Sequence, residues 1–468
     1  MATTLLFALS LVQASVGVSA AAVADAPGLA QAVDGQYISW REHLIDDSAI
    51  SGIELSGSDG FVLGDVDGDG WEDIVSVHES DSSYDGNPDG DVRIAFGSAD
   101  PLQWTNITLA EGRAAAAPED AALADVNGDG HLDVVVASEL SHLLYLQNPG
   151  TGVRTASWPR LVLPMTRDRG SYIRVFLADL NGDGLVEVLA PNKGAQNPTR
   201  ADFERLTPVS LFRHSGPPLQ AQSWTEQIIG NYSVPQNAQP VDLDGDGDLD
   251  ILVGSRGEQR LILFENVSAD SAQPGEILLR QHRMEVTGAR PGGFNLDFAD
   301  INGDGRLDVL SASGLDLFWL EQPSRWDEEW TAHRIGSFTP DSMTGFGIAD
   351  INGDGRVDVL AGSYSRGPRE QDGDVTINDA LGRIGWFEQP QDLKKDWPRH
   401  DISRRKRGMF DKFIARDLDR DGDMDFIGTR GNSAPYDGVF WLEQVRSAQP
   451  IPVFRRARSK DSEEVPLP

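Results

Sequence analysis

The chain has 468 residues, with 74 acidic side chains against 40 lysines and arginines, and a formal charge of −34. A surface this acidic lacks the basic footprint that general nucleic-acid binding requires. There is no cysteine, so disulfides and thiolate metal sites are excluded.

From the N-terminus, an apolar run over 5–12 leads to small residues with cleavage options between Ser19 and Ala26. It reads as an export signal over 1–26, although it has no basic start, and it is too short to span a bilayer. The expected location is secreted, periplasmic or cell-surface, with no transmembrane segment. A strand over 38–46 follows, opening Trp40-Arg-Glu-His43.

Then comes the first of seven acidic nine-residue loops, Asp-x-Asp/Asn-x-Asp-Gly-x-x-Asp/Glu, which recur at intervals of roughly sixty residues. It carries Asp65, Asp67, Asp69 and Asp73. The second has Asp125, Asn127, Asp129 and Asp133; the third has Asp179, Asn181, Asp183 and Glu187. The fourth has Asp242, Asp244, Asp246 and Asp250; the fifth has Asp300, Asn302, Asp304 and Asp308. The sixth has Asp350, Asn352, Asp354 and Asp358; the seventh has Asp417, Asp419, Asp421 and Asp425, with Arg420 where the others carry Gly. Oxygen ligands at positions 1, 3, 5 and 9 of a tight turn suit Ca2+, in up to seven sites. Seven divalent ions would offset fourteen of the excess negative charges. An EF-hand needs Glu at position 12, and Ser76, Val136, Ala190, Val253, Ser311, Ala361 and Gly428 stand there.

Each loop runs into a β-branched stretch such as Asp133-Val-Val-Val-Ala, a strand signal. A third strand is aromatic and ends in Glu or Gln followed by Asn or Gln, as in Leu317-Phe-Trp-Leu-Glu-Gln322. A fourth often opens with Trp. His43, His333 and His400 recur at one place in it and read as packing residues. Four strands per repeat in seven repeats predict an all-β fold, a seven-bladed β-propeller over 27–457 with Ca2+ loops between strands 1 and 2. One of the two terminal strands, 38–46 or 451–455, is expected to complete a blade with the other terminus. Residues 458–468 read as a polar, frayed tail.

The seven loops resemble FG-GAP/VCBS repeats of integrin α-subunit-like propellers, over roughly residues 38–455. The resemblance implies a calcium-binding propeller and leaves activity open, because one fold hosts many functions. The Trp-x-x-His strands also look like those of fungal aldos-2-ulose dehydratases, with no catalytic motif to carry over.

Metal loops on one face leave the 2–3 and 4–1 loops on the other, and these are uneven in length and rich in cations. The candidate ligand-binding residues there are Tyr84, Lys193, Arg256, Arg290, Tyr364, Arg366, Lys412, Arg430 and Tyr436. Arg167, Arg169 and the run Arg404-Arg-Lys-Arg407 belong to the same face. Such a mouth would focus field on an anionic ligand, and Arg suits carboxylate or sulfate. The expected partner is an anionic glycan or an extracellular protein. A lyase or dehydratase is the alternative, with Tyr172, Arg174 and His78 as catalytic candidates paired as Tyr172/Arg174 or His78/Arg430. An adhesion or scaffold role is a third reading, and the oligomeric state is left open.

Overall fold

A computed structural model describes residues 21–80, 86–155, 157–273, 275–365, 372–373 and 375–468. Seven antiparallel sheets follow one another as blades, over 58–111, 118–162, 176–233, 235–282, 296–337, 342–405 and 413–447. Within each, the chain runs outward from strand 1, and the acidic loop joins strands 1 and 2 as predicted.

Strand 2 reads as an unbroken apolar run because both its faces are covered. In Asp133–Ser138 every residue is buried. Side chains alternate across a strand, so Val134 and Val136 enter the seam with blade 1 while Val135 and Ala137 enter the seam with blade 3. Seven apolar clusters result, one in each seam between neighbouring blades. The core is thus a ring of interfaces, and no blade buries its faces alone.

The N-terminal strand closes the ring. Tyr37–Asp47 pairs antiparallel with Gly438–Ser447 as the fourth strand of blade 7. The other terminal strand lies outside it, where Phe454 and Arg455 pair parallel with Trp40 and Arg41. Across the junction with blade 1, Arg420 stacks on Trp71 at 4.0 Å, which gives the seventh loop's departure from Gly a packing reason.

The C-terminal stretch corrects the sequence expectation of a frayed tail. Residues 461–466 return along the edge of blade 6: Val465 N–H donates to Arg404 O at 2.9 Å, and Lys406 N–H donates to Glu463 O at 3.0 Å. Ser462 and Val465 are buried. Polar composition alone suggested solvation, but the acids of this stretch are the counter-charges of buried arginines. Of the expected leader 1–26, residues 1–20 lie outside the described ones. Val23 and Ala24 are buried, and Val23 N–H donates to Val465 O at 3.3 Å.

Candidate functional site

Two sets of residues qualify, one on each face. In the acidic loops the first carboxylate brackets the turn. Asp65 accepts the N–H groups of Asp69 and Gly70, both at 3.0 Å. Gly68 and Gly70 sit at φ of 75° and 89°, which is open to Gly at little cost. The position-9 acid is buried and bridges three strands: Asp308 accepts Ile301 N–H at 3.0 Å and Gln322 N–H at 2.9 Å. Asp250, Asp358 and Asp425 do the same, which supplies a structural reason for the fixed fourth carboxylate. Burial raises these groups, Asp250 and Asp358 to about 7 and Asp425 to about 8.

The donor set fits Ca2+. Carboxylate oxygens of Asp65, Asp67 and Asp73 lie within 4.8 Å of one another, as do those of Asp242, Asp244 and Asp246, and of Asp417, Asp419 and Asp421. All are hard oxygen donors. The seven loops are not equivalent. Arg306 and Arg356 pair with the position-5 carboxylates Asp304 and Asp354, and Arg154 pairs with Asp67 and Asp69. In the fourth and seventh loops the position-7 residue is instead a further acid, Asp248 or Asp423.

The opposite face has a mouth built from two repeat positions. The residue six before each acidic loop is Asp59, Glu119, Ile173, Gln236, Phe294, Thr344 or Asp411; the residue six beyond it is Glu79, Glu139, Lys193, Arg256, Gly314, Tyr364 or Gly431. Those of blades 3 to 6, except Tyr364, line one cleft of about 390 Å3 together with Arg290 and Asn295. Arg256 and Arg290 are exposed there, and among the described residues neither guanidinium has an ion-pair partner. Arg174 lies beneath, donating to Asn295 Oδ1 at 3.0 Å and stacked on Phe294 at 4.5 Å. Blades 1 and 2 place acids at the same positions: Asp59, Glu79 and Glu119 bring carboxylate oxygens within 4.8 Å of one another. Burial, with Glu139 and Glu79 nearby, pushes Glu119 well above the usual carboxylate range.

The structure sorts the predicted residues. Lys193, Arg256 and Arg290 meet in the cleft, although Lys193 is also ion-paired with Glu139. The remaining cations of that face are largely neutralised. Lys412 pairs with Asp120 at 3.1 Å, and Arg430 holds Asp461 through two bonds of 2.6 and 2.9 Å. Arg404 is buried against Asp341 at 2.7 Å, and Arg405 against Glu42 at 2.7 Å and Glu464 at 3.1 Å. Arg407 pairs with Asp372 at 2.8 Å and covers Tyr436, while Arg169 pairs with Glu226. Tyr364 is half-buried beside Met409, whose backbone bridges to it. Tyr84 and Arg366 lie outside the described residues.

The catalytic pairs do not form. His78 is wholly buried, its Nδ1 2.6 Å from Ser58 Oγ and its Nε2 3.1 Å from Ser76 Oγ, and burial lowers it to about 3. Tyr172 is 1 % exposed, meets Asn192 at 3.4 Å and is pushed up by burial to about 12, while Arg174 turns to Asn295. Neither is placed to take a proton from a ligand. The sequence reading of this face included no acids, although Asp59, Glu79, Glu119 and Glu139 occupy in blades 1 and 2 the repeat positions that carry Lys193 and Arg256 in blades 3 and 4. Superposing the seven repeats would have found them.

The histidines of the fourth strands are structural, as expected. His333 stacks on Trp319 at 4.2 Å and meets Glu321 at 2.8 Å; His400 lies 4.3 Å from Trp386 and meets Glu388 at 2.9 Å.

The FG-GAP-like repeat family matches residues 65–136, 125–190, 242–311 and 300–361, together more than half of the chain. No curated protein matches. Among solved structures the chain is similar to an Agrocybe aegerita lectin described as recognising non-reducing terminal N-acetylglucosamine. That match has 16% identity, covers 76% of this chain and 82% of the lectin, and has a TM-score of 0.43. It is also similar to BBS1N in a complex with ARL6DN, at 11% identity over 88% of this chain and 94% of that one, TM-score 0.43. The V. cholerae biofilm matrix protein Bap1 matches at 12% identity over 88% and 91%, TM-score 0.43. At these scores none of the three bears on the site.

Proposed function

From the premise that this chain belongs to the FG-GAP-like repeat family, a fold that fits ligand-binding or adhesion roles, we propose a calcium-stabilised propeller that binds a ligand's anionic group at the mouth opposite its acidic loops. The observation that carries this reading is the cleft of about 390 Å3 in which Arg256 and Arg290 stand exposed without ion-pair partners among the described residues. Most other cations assigned to that face are paired with acids, Arg167 being a further exposed one at a separate cavity, whereas these two stand in solvent beside Gln236, Asn295 and Phe294. Guanidinium forks over a partly apolar wall suit a carboxylate or sulfate on a sugar or on an extracellular protein.

Calcium belongs to the same reading. The side-chain oxygens at positions 1, 3 and 5 would hold it, with the position-9 acid behind them, and its chemistry there is structural: it would neutralise converging acids and fix the turn. Export to a calcium-rich exterior fits as well. Among the described residues no helix is long and apolar enough to cross a membrane.

The test is calorimetric titration of calcium-loaded protein with uronate and sulfated oligosaccharides. Arg256→Ala/Arg290→Ala should weaken binding at least tenfold, about 1.4 kcal/mol. Asp300→Ala, on the other face, should lower stability and leave affinity unchanged. Binding indifferent to the arginine pair would refute the mouth as the site.

A further inference from the structure

A second hollow, of about 670 Å3, lies over blade 2 on the same face and shares none of its lining residues with the cleft of blades 3 to 6. Loop length accounts for it. In blade 2 only residues 139–141 join strands 2 and 3, whereas the neighbouring connections, 79–90 and 163–175, are several times longer. The short hairpin leaves the space between the longer connections unfilled, and residues of all three line it. Its turn is strained: Ser141 sits at φ of 148°, which side chains rarely adopt.

The lining divides into a neutral floor, apolar walls and a charged rim. On the floor His142 is buried, and its Nε2 donates to Ala114 O at 2.9 Å. A carbonyl can only accept, so Nδ1 is left to accept from Ser141 Oγ at 3.1 Å. Burial lowers the proton affinity of this ring and keeps it uncharged. Pro88, Leu140 and Val162 are half-buried walls. At the rim Arg113 and Arg167 are exposed, and among the described residues neither guanidinium has an ion-pair partner. Asp168 is the one acid among the lining residues, so two guanidiniums against one carboxylate leave a single excess positive charge.

The two cavities differ in chemistry. The cleft of blades 3 to 6 offers Gln236, Gln259, Asn295 and Thr344, amides and a hydroxyl that can meet sugar hydroxyls. The hollow over blade 2 has no amide side chain in its lining; aliphatic surface stands beside the arginines instead. Apolar walls with a few placed charges suit a small ligand that buries hydrocarbon and presents one anionic group. We propose that this hollow is a second binding site, for an amphiphilic monoanion: a single carboxylate or sulfate held by Arg113 and Arg167, on a compact apolar body packed against Pro88, Leu140 and Val162.

The test is titration calorimetry of the calcium-loaded protein with adamantane-1-carboxylate and its uncharged isostere adamantane-1-carboxamide, at fixed ionic strength. The carboxylate should bind at least tenfold more tightly than the carboxamide. Arg113→Ala/Arg167→Ala should weaken the carboxylate at least tenfold and leave the melting temperature unchanged, because neither side chain has an ionic partner to lose. Arg256→Ala/Arg290→Ala, in the other cavity, should leave this binding as it is. Equal affinity for the two probes, binding that follows Arg256 and Arg290 instead of Arg113 and Arg167, or no binding at millimolar probe overturns the second site. None of these outcomes touches the mouth reading, whose own test uses different ligands and a different arginine pair.

Discussion

His78 is held neutral by its surroundings: two serine hydroxyls satisfy its ring nitrogens, and burial, with Arg93 adding, lowers it to about 3. The unfolded chain takes up a proton near the ordinary value of about 6.5, whereas the folded one does not until far lower. Its contribution to stability is therefore complete above that value and is lost as pH falls toward 3, by about 1.4 kcal/mol for each pH unit. His78→Gln should flatten the acid branch of the stability–pH curve relative to the parent between pH values of about 6 and 4, measured by urea unfolding at each pH. A parallel pair of curves would show that His78 titrates normally. Asp461 behaves as the mirror case: burial would raise it, but Arg430 and Arg405 outweigh that and hold its carboxyl well below the ordinary range. A sequence shows that these residues are titratable; only their partners set what they do.

At the level of the element, the acid–amide pair that ends the third strand has a specific task. The amide crosses to the preceding blade and donates to the second carbonyl of its acidic loop. Asn148 reaches Val66 O at 2.9 Å, Asn266 reaches Leu180 O at 2.7 Å, Gln322 reaches Leu243 O at 2.9 Å and Gln389 reaches Ile301 O at 2.7 Å. In blade 7 Arg446 takes over, donating to Ile351 O at 3.1 Å. In blades 4, 5 and 6 the preceding Glu265, Glu321 and Glu388 meet the fourth-strand His282, His333 and His400, so there one dipeptide fixes a blade both to its neighbour and to its own outer strand, while in blade 2 Gln147 stands in that place. Gln389→Ala leaves Ile301 O and Val357 N–H without this side chain in a seam that excludes water, and should cost about 1–3 kcal/mol. Chemical denaturation would read this directly, and a change within error would demote the amide to a bystander. The recurrence of these amides was visible in the chain, but their direction was not, since a repeat pattern does not say which neighbour a side chain faces.

For the whole molecule, stability resides in seams between blades, and the acidic loops cap one face of that ring. Calcium bound only by the folded ring would add about 2.7 kcal/mol per site at a hundredfold excess over its dissociation constant. Chelation should therefore lower the melting temperature well beyond what ionic strength explains, in differential scanning calorimetry with and without EDTA. An unchanged melt would remove calcium from the account of stability. The loops should not contribute equally, because Arg306 and Arg356 already sit on position-5 carboxylates while the fourth and seventh loops carry an extra acid.

By itself, the sequence determined the repeat, the turn chemistry, the strand order within a blade and the face on which each loop lies. All of these follow from spacing over a few tens of residues and from the two-residue period of a strand. The tertiary structure decided which terminus closes the ring, that the last residues fold back, and which cations remain open. Arg256 and Arg430 look alike in the chain. One faces a cleft, and the other is bound to Asp461 through 2.6 and 2.9 Å contacts. A charge's role depends on the dielectric and the counter-charge around it, and in a closed ring those come from blades far away in sequence.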